Sequence, residues 1–169
     1  SLMDQSEAVA ESLDAKTLHL TQGHVRFDNV TFRYDQSGPQ GVSDLDFEVK
    51  AGQTIALVGP TGSGKSTTIA LLQRFRTPKS GGILIDGQDI AGVTMASLRQ
   101  AIAVVFQDAG LFNRTIAENI RVGRPDAPDS EVERAARLAE AHDFIMKKPG
   151  GYNFVIGERG LSLSGGERQ

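Results

Sequence analysis

Residues 59–66 read Gly59-Pro60-Thr61-Gly62-Ser63-Gly64-Lys65-Ser66, and the fold is decided by what this spacing of glycine, lysine and serine can do. The octet matches G-x-x-x-x-G-K-[ST] at every fixed position. Its glycines let successive backbone N–H groups turn inward as a nest for an anion. A helix beginning near Lys65 adds about half a positive charge at its N-terminus. Lys65 then reaches toward the β- and γ-phosphates of a nucleoside triphosphate, most simply ATP, and the Ser66 hydroxyl is a ligand for Mg²⁺. The flanks fit this reading. Thr54 to Val58 has no polar residue after Thr54, as expected of a strand buried on both faces. Downstream, the sequence predicts a helix from Lys65 to about Arg76, stopping before Pro78.

Upstream of the loop the pattern is antiparallel sheet. Val25 and Phe27 alternate, as do Val30, Phe32 and Tyr34, but the two sets differ in parity, which predicts a bulge at Asp28-Asn29. Leu45, Phe47 and Val49 alternate again and give a half-buried strand. Residues 1–23 are polar, with scattered leucines at 13, 18 and 20, and read as a linker or arm.

Downstream, Ile83-Leu84-Ile85 followed by Asp86-Gly87 is a strand entering a tight turn. An apolar strand ending in Asp also looks like an Mg²⁺-holding element, but Gly87 follows where a catalytic Glu would be expected, so the turn reading is preferred. Ile102 to Phe106 is expected to be a second buried strand. Beyond Gln107 the character is helical. Thr115-x-x-Glu118 has capping-box spacing. Val132, Ala135, Ala136 and Ala139 recur at helical spacing and predict a helix from about Ser130 to His142. Pro149-Gly150-Gly151 ends the helical stretch after it.

Bulk properties narrow the classes. The chain has 169 residues, 39% hydrophobic and 23% charged, enough for one domain and unlike disorder or fibre. A formal net charge of −3 argues against nucleic acid as a partner. With no cysteine, disulfides and thiolate metal sites are excluded. No apolar run approaches a membrane span, so no direct membrane insertion is expected of this stretch.

The loop alone leaves kinase, GTPase and transport motor open, and the C-terminus decides between them. Leu163-Ser164-Gly165-Gly166-Glu167-Arg168-Gln169 resembles the LSGGQ-type signature of ATP-binding cassette (ABC) proteins. Ser164-x-x-Glu167 is itself a capping box, and two glycines leave bare N–H groups beside it. The resemblance implies an α/β fold: a P-loop NTPase core with an antiparallel β subdomain and a partial α-helical subdomain. Its implied boundaries are an arm at 1–23, β subdomain and core at 24–108, and helical subdomain at 109–169.

The same resemblance implies a set of site residues. Tyr34 resembles the A-loop aromatic that stacks on adenine, and Gln107 the Q-loop glutamine that ligates Mg²⁺ beside Ser66. The nucleotide-binding set is then Tyr34, Gly59, Pro60, Thr61, Gly62, Ser63, Gly64, Lys65, Ser66, Thr67 and Gln107, with Ser164, Gly165 and Gly166 facing the nucleotide of a partner. The implied cofactors are ATP and Mg²⁺. The implied partners are a second nucleotide-binding domain, paired head to tail, and the coupling helices of a transmembrane domain.

Two segments point to an exporter within the family. Gly157-Glu158-Arg159-Gly160 resembles the exporter X-loop. Leu111-Phe112 with Thr115-Ile116-Ala117-Glu118-Asn119-Ile120 looks like the segment that follows the exporter Q-loop. Glucan-type exporters and heavy-metal or mitochondrial-type half-transporters are the nearest groups, at the cytoplasmic face of a bacterial inner membrane. The alternative is a soluble ABC ATPase of DNA repair or ribosomes. The interval from Gln107 to Ser164 carries no heptads for a repair-type coiled coil, and the negative charge weighs against ribosomes.

The family pattern continues past its signature with an apolar strand ending in Asp-Glu, a D-loop and a switch histidine. His19, His24 and His142 all precede the signature, so none matches that histidine. The catalytic Glu and the Walker B Asp are likewise unmatched. The chain is therefore expected to be a truncated domain that binds ATP–Mg²⁺ without turning it over.

Overall fold

The computed structural model describes residues 11–35, 38, 40–105, 110–157 and 162–168. Alternating apolar residues build its sheet. Strand β1 (Val25–Arg33) pairs antiparallel with β2 (Gly41–Val49), with Val25 opposite Val49 and Phe27 opposite Phe47. The change of parity becomes a bulge: the register slips between Phe27 and Val30, and Asn29 takes a φ of 48°. One inserted residue returns Val30 to the face that Phe27 buries, so both end in the core. Strand β3 (Ser80–Ile85) lies antiparallel along the other edge of β1, and β4 (Gln88–Asp89) closes a hairpin in the order β2-β1-β3-β4. Asp86 and Gly87 both have positive φ, 48° and 75°, as a two-residue hairpin turn of type I′ requires.

Helix α1 (Lys65–Leu72) and helix α2 (Met95–Ala101) supply Leu71 and Leu98, fully buried with Phe27, Val30 and Ile83. Phe27 stacks on Phe47 with centroids 4.6 Å apart. Contacts divide the chain between Ala103 and Val104 into two compact units. The second holds α3 (Ile116–Ile120), α4 (Asp129–Leu138), α5 (His142–Met146) and α6 (Gly165–Arg168). Its core is Ile116, Ala136, Ile145, Ile156 and Leu163. Thr115 and Glu118 make the full reciprocal capping box at the start of α3. Among the described residues no helix is long and apolar enough to cross a membrane.

Several expectations need correction. Thr54–Val58 forms no strand, and its side chains are exposed, Val58 at 87%. Residues 102–105 are likewise outside any strand, with Val105 at 75% exposure; Phe106 lies outside the described residues. The physical reason is common to both. A strand buried on two faces needs a hydrogen-bonded neighbour along its length, and no described strand pairs with either segment.

Helix α1 stops at Leu72, short of Arg76. Arg74 turns to a φ of 52° and buries its guanidinium, donating from Nη1 to the carbonyls of Ile90 and Val93 at 2.8 and 2.6 Å. The helix expected over 130–142 ends at Leu138, because Glu140 takes a φ of 56° before α5 begins. Helix α2, capped by Thr94, is not foreseen by the sequence pattern.

The described part of the arm, 11–23, is docked on the sheet unit. Leu18 is buried at 7% exposure, Lys16 bridges Val93 in parallel, and Gln88 exchanges two hydrogen bonds with the backbone of His19. The Asp86 carboxylate accepts from four consecutive backbone N–H groups, Thr21 to His24, at 2.7 to 3.1 Å. Its pKa is held far below the usual carboxylate range, first by the Thr21 N–H and then by the others.

Candidate functional site

The loop 59–66 joins the exposed segment 54–58 to α1. Gly59, Gly62 and Gly64 have φ of 155°, 85° and 91°, conformations that side chains resist. Gly64 is doubly constrained, since a Cβ there would lie 2.4 Å from Val42 Cγ1 on β2. The absent side chain is what lets the loop sit against the sheet. Gly64 also caps α1 without a side-chain hydrogen bond, and no acidic residue stands in the first turn. The first N–H groups of α1 therefore keep their positive end for an external acceptor.

Lys65 bends back over the loop. Its ammonium donates to the carbonyls of Gly59 at 2.8 Å and Pro60 at 2.9 Å, with Ser63 Oγ at 3.4 Å. This fixes a full positive charge at the mouth of the nest. Ser66 is exposed, on the first turn of α1. A hydroxyl oxygen beside a phosphate nest suits a hard divalent cation such as Mg²⁺, which takes few protein ligands and completes its shell with water and phosphate oxygens. Among the described residues there is no cluster of three or more His, Asp or Glu side chains able to hold a metal by themselves. The chemistry available here is binding of a polyphosphate with its own cation.

Tyr34 follows the end of β1 and is tied to the loop helix. Its hydroxyl lies 3.1 Å from Thr67 Oγ1, and Thr67 is buried. Phe32 meets its ring edge-on at 4.9 Å between centroids, and the Arg76 guanidinium carbon lies over the ring at 5.7 Å. The ring is nevertheless 51% exposed. An aromatic plane with open surface is thus held by Thr67, two residues after Lys65 in the helix. The link to Thr67 and the approach of Arg76 are not visible in sequence, because both join residues more than thirty positions apart.

Gln107 is outside the described residues, as are Glu158 to Gly160 of the X-loop segment. In the second unit Ser164, Gly165 and Gly166 are exposed. The capping box expected here is formed: Ser164 N donates to Glu167 Oε2 at 2.8 Å, and Glu167 N donates to Ser164 Oγ at 3.3 Å. Lys148 Nζ adds a bond to the same carboxylate oxygen at 3.2 Å. The Ser164 backbone bond and then Lys148 lower the Glu167 pKa. Asp86 serves as turn residue and arm clamp, in accord with the turn reading.

The ABC transporter family profile matches residues 42–169. The beta-(1-->2)glucan export ATP-binding/permease protein NdvA of Mesorhizobium japonicum is 57% identical over 168 residues, which is 99% of this chain and 28% of that protein. Its counterpart in Brucella suis is 56% identical over 165 residues, 98% of this chain and 26% of that protein. A solved structure of a bacterial Atm1-family ABC exporter with ATP bound superposes with a TM-score of 0.85 at 51% identity, covering 95% of this chain and 28% of that one. The chain thus spans little more than a quarter of the length of these relatives.

Proposed function

The chain belongs to the ABC transporter family, and from that premise we propose that it is the ATP-binding part of an exporter that couples ATP binding and hydrolysis to transport across a membrane. The observation that carries this reading is the loop 59–66, with the Lys65 ammonium fixed on the Gly59 and Pro60 carbonyls and an uncapped helix start behind it. In this reading the β- and γ-phosphates lie on the N–H groups of the loop and the first turn of α1. Lys65 neutralises their charge, and Ser66 with Gln107 holds Mg²⁺. Adenine stacks on Tyr34.

Ser164, Gly165 and Gly166 are exposed on their unit, as a signature that completes a partner's nucleotide site must be. The partner is a second nucleotide-binding domain in head-to-tail pairing. Coupling helices of a transmembrane domain carry the motion to the membrane, and the working site is its cytoplasmic face in a bacterial inner membrane. That the relatives are themselves named as exporters supports this assignment over a soluble ATPase.

The 169 residues contain no Asp-Glu pair, so the carboxylate that would polarise the attacking water has no candidate within them. The chain by itself therefore binds ATP–Mg²⁺ with no turnover. The test is ATP hydrolysis by the natural full-length protein in lipid vesicles. Lys65→Ala is expected to lower the rate by about 100-fold or more. An unchanged rate in that variant would overturn the proposal.

A further inference from the structure

Arg76, like Arg99 over Phe75, meets an aromatic ring, whereas Arg26 and Arg74 of the same unit are tied to polar partners. Arg26 pairs with Asp46 at 2.7 Å, and Arg74 is buried on two carbonyls. Among the described residues the Arg76 guanidinium makes no hydrogen bond or ion pair; its one specific contact is the face of Tyr34, 5.7 Å from the ring centroid. Tyr34 itself cannot follow a moving neighbour, because Thr67 holds its hydroxyl and Phe32 its edge. A fixed aromatic plane thus faces an untethered planar cation.

The spacing matters. Two planar groups in direct contact lie about 3.5–4 Å apart, and a base between two planes needs about 7 Å in all. With its guanidinium carbon 5.7 Å from the ring centroid, Arg76 leaves less than that space and must move outward to admit a base. A side chain with no other bond can withdraw that far without breaking anything.

We infer that Arg76 is the second wall of the base slot, so that the nucleobase enters between the Tyr34 ring and the Arg76 guanidinium. The base exchanges one cation–π contact for two stacking contacts, one on each face. A guanidinium stacks on the π-face of any nucleobase, so the slot strengthens binding without selecting adenine over guanine. This inference rests on Tyr34 being the base platform.

The experiment measures affinity of the natural full-length protein for ATP–Mg²⁺, GTP–Mg²⁺ and Mg²⁺–tripolyphosphate, which has the phosphates and no base. Arg76→Ala is expected to weaken both nucleotides by about 3- to 10-fold and to leave tripolyphosphate affinity unchanged. Arg76→Lys should recover only part of the loss, because an ammonium has charge without a plane. Full recovery by lysine, or a parallel loss of tripolyphosphate affinity, would show that Arg76 acts through charge on the phosphates and would overturn the slot. A neutral Arg76→Ala beside a weakening Tyr34→Ala removes the slot and keeps the platform. A neutral Tyr34→Ala removes both.

Discussion

The Lys65 ammonium and the Asp86 carboxylate show how single residues were legible to different depths. Lys65 is one position of an eight-residue motif, so its place on the loop carbonyls follows from local chain geometry that a motif records. Asp86-Gly87 was equally legible as a turn. The clamp on Thr21 to His24 was not, because it joins a turn to an arm more than sixty residues away. Its pH dependence has a definite sign. The folded-state pKa of Asp86 is depressed by those N–H groups, so its contribution is complete above the unfolded value of about 3.9. It is lost only as the pH falls through the still lower folded value. Thermal melting of wild type and Asp86→Asn should therefore differ at pH 7 and at pH 5, and converge only in strong acid. A difference that vanished between pH 7 and pH 5 would contradict the clamp. At the neighbouring site, Tyr34→Ala should weaken ATP–Mg²⁺ binding by about 1–3 kcal/mol, equally for GTP. An unchanged affinity in a binding titration would make the ring a packing residue only.

Among the elements, those closed by short-range chemistry were read well. The bulge at Asp28-Asn29 is written in the parity of β1, and the capping box of α3 in Thr115 and Glu118. Thr115→Ala should cost about 1 kcal/mol of stability in its unit, within a range of about 0.5–2, measured by chemical denaturation; no change would contradict the capping role. Elements that depend on neighbours were read poorly. Helix α2 has seven residues and one buried side chain, Leu98, too short a pattern to show a period. The segments 54–58 and 102–105 have the composition of central strands but no described strand beside them. Composition states what a segment can bury, and only the rest of the fold supplies the partner. If the greater length of the relatives includes those neighbouring strands, the amides of 55–58 should exchange freely in the 169-residue chain. In the full-length protein they should slow by about 10³-fold or more. Protection already present in the short chain would contradict this account.

For the whole molecule, the family was legible because its two Gly-rich motifs are local, while each unit's core is not. Leu18, Val42 and Ile90 converge in the first unit from distant parts of the chain, and no periodicity announces that. The working protein is proposed to join two such chains, so that each loop 59–66 meets a signature like Ser164-Gly165-Gly166 from its partner. All of this depends on the loop holding a nucleoside triphosphate. The most direct measurement is calorimetric titration of ATP–Mg²⁺ into this 169-residue chain and into its Lys65→Ala variant. The account predicts weak saturable binding to the first, none detectable to the second, and no phosphate release from either. Equal affinity for both chains would contradict it.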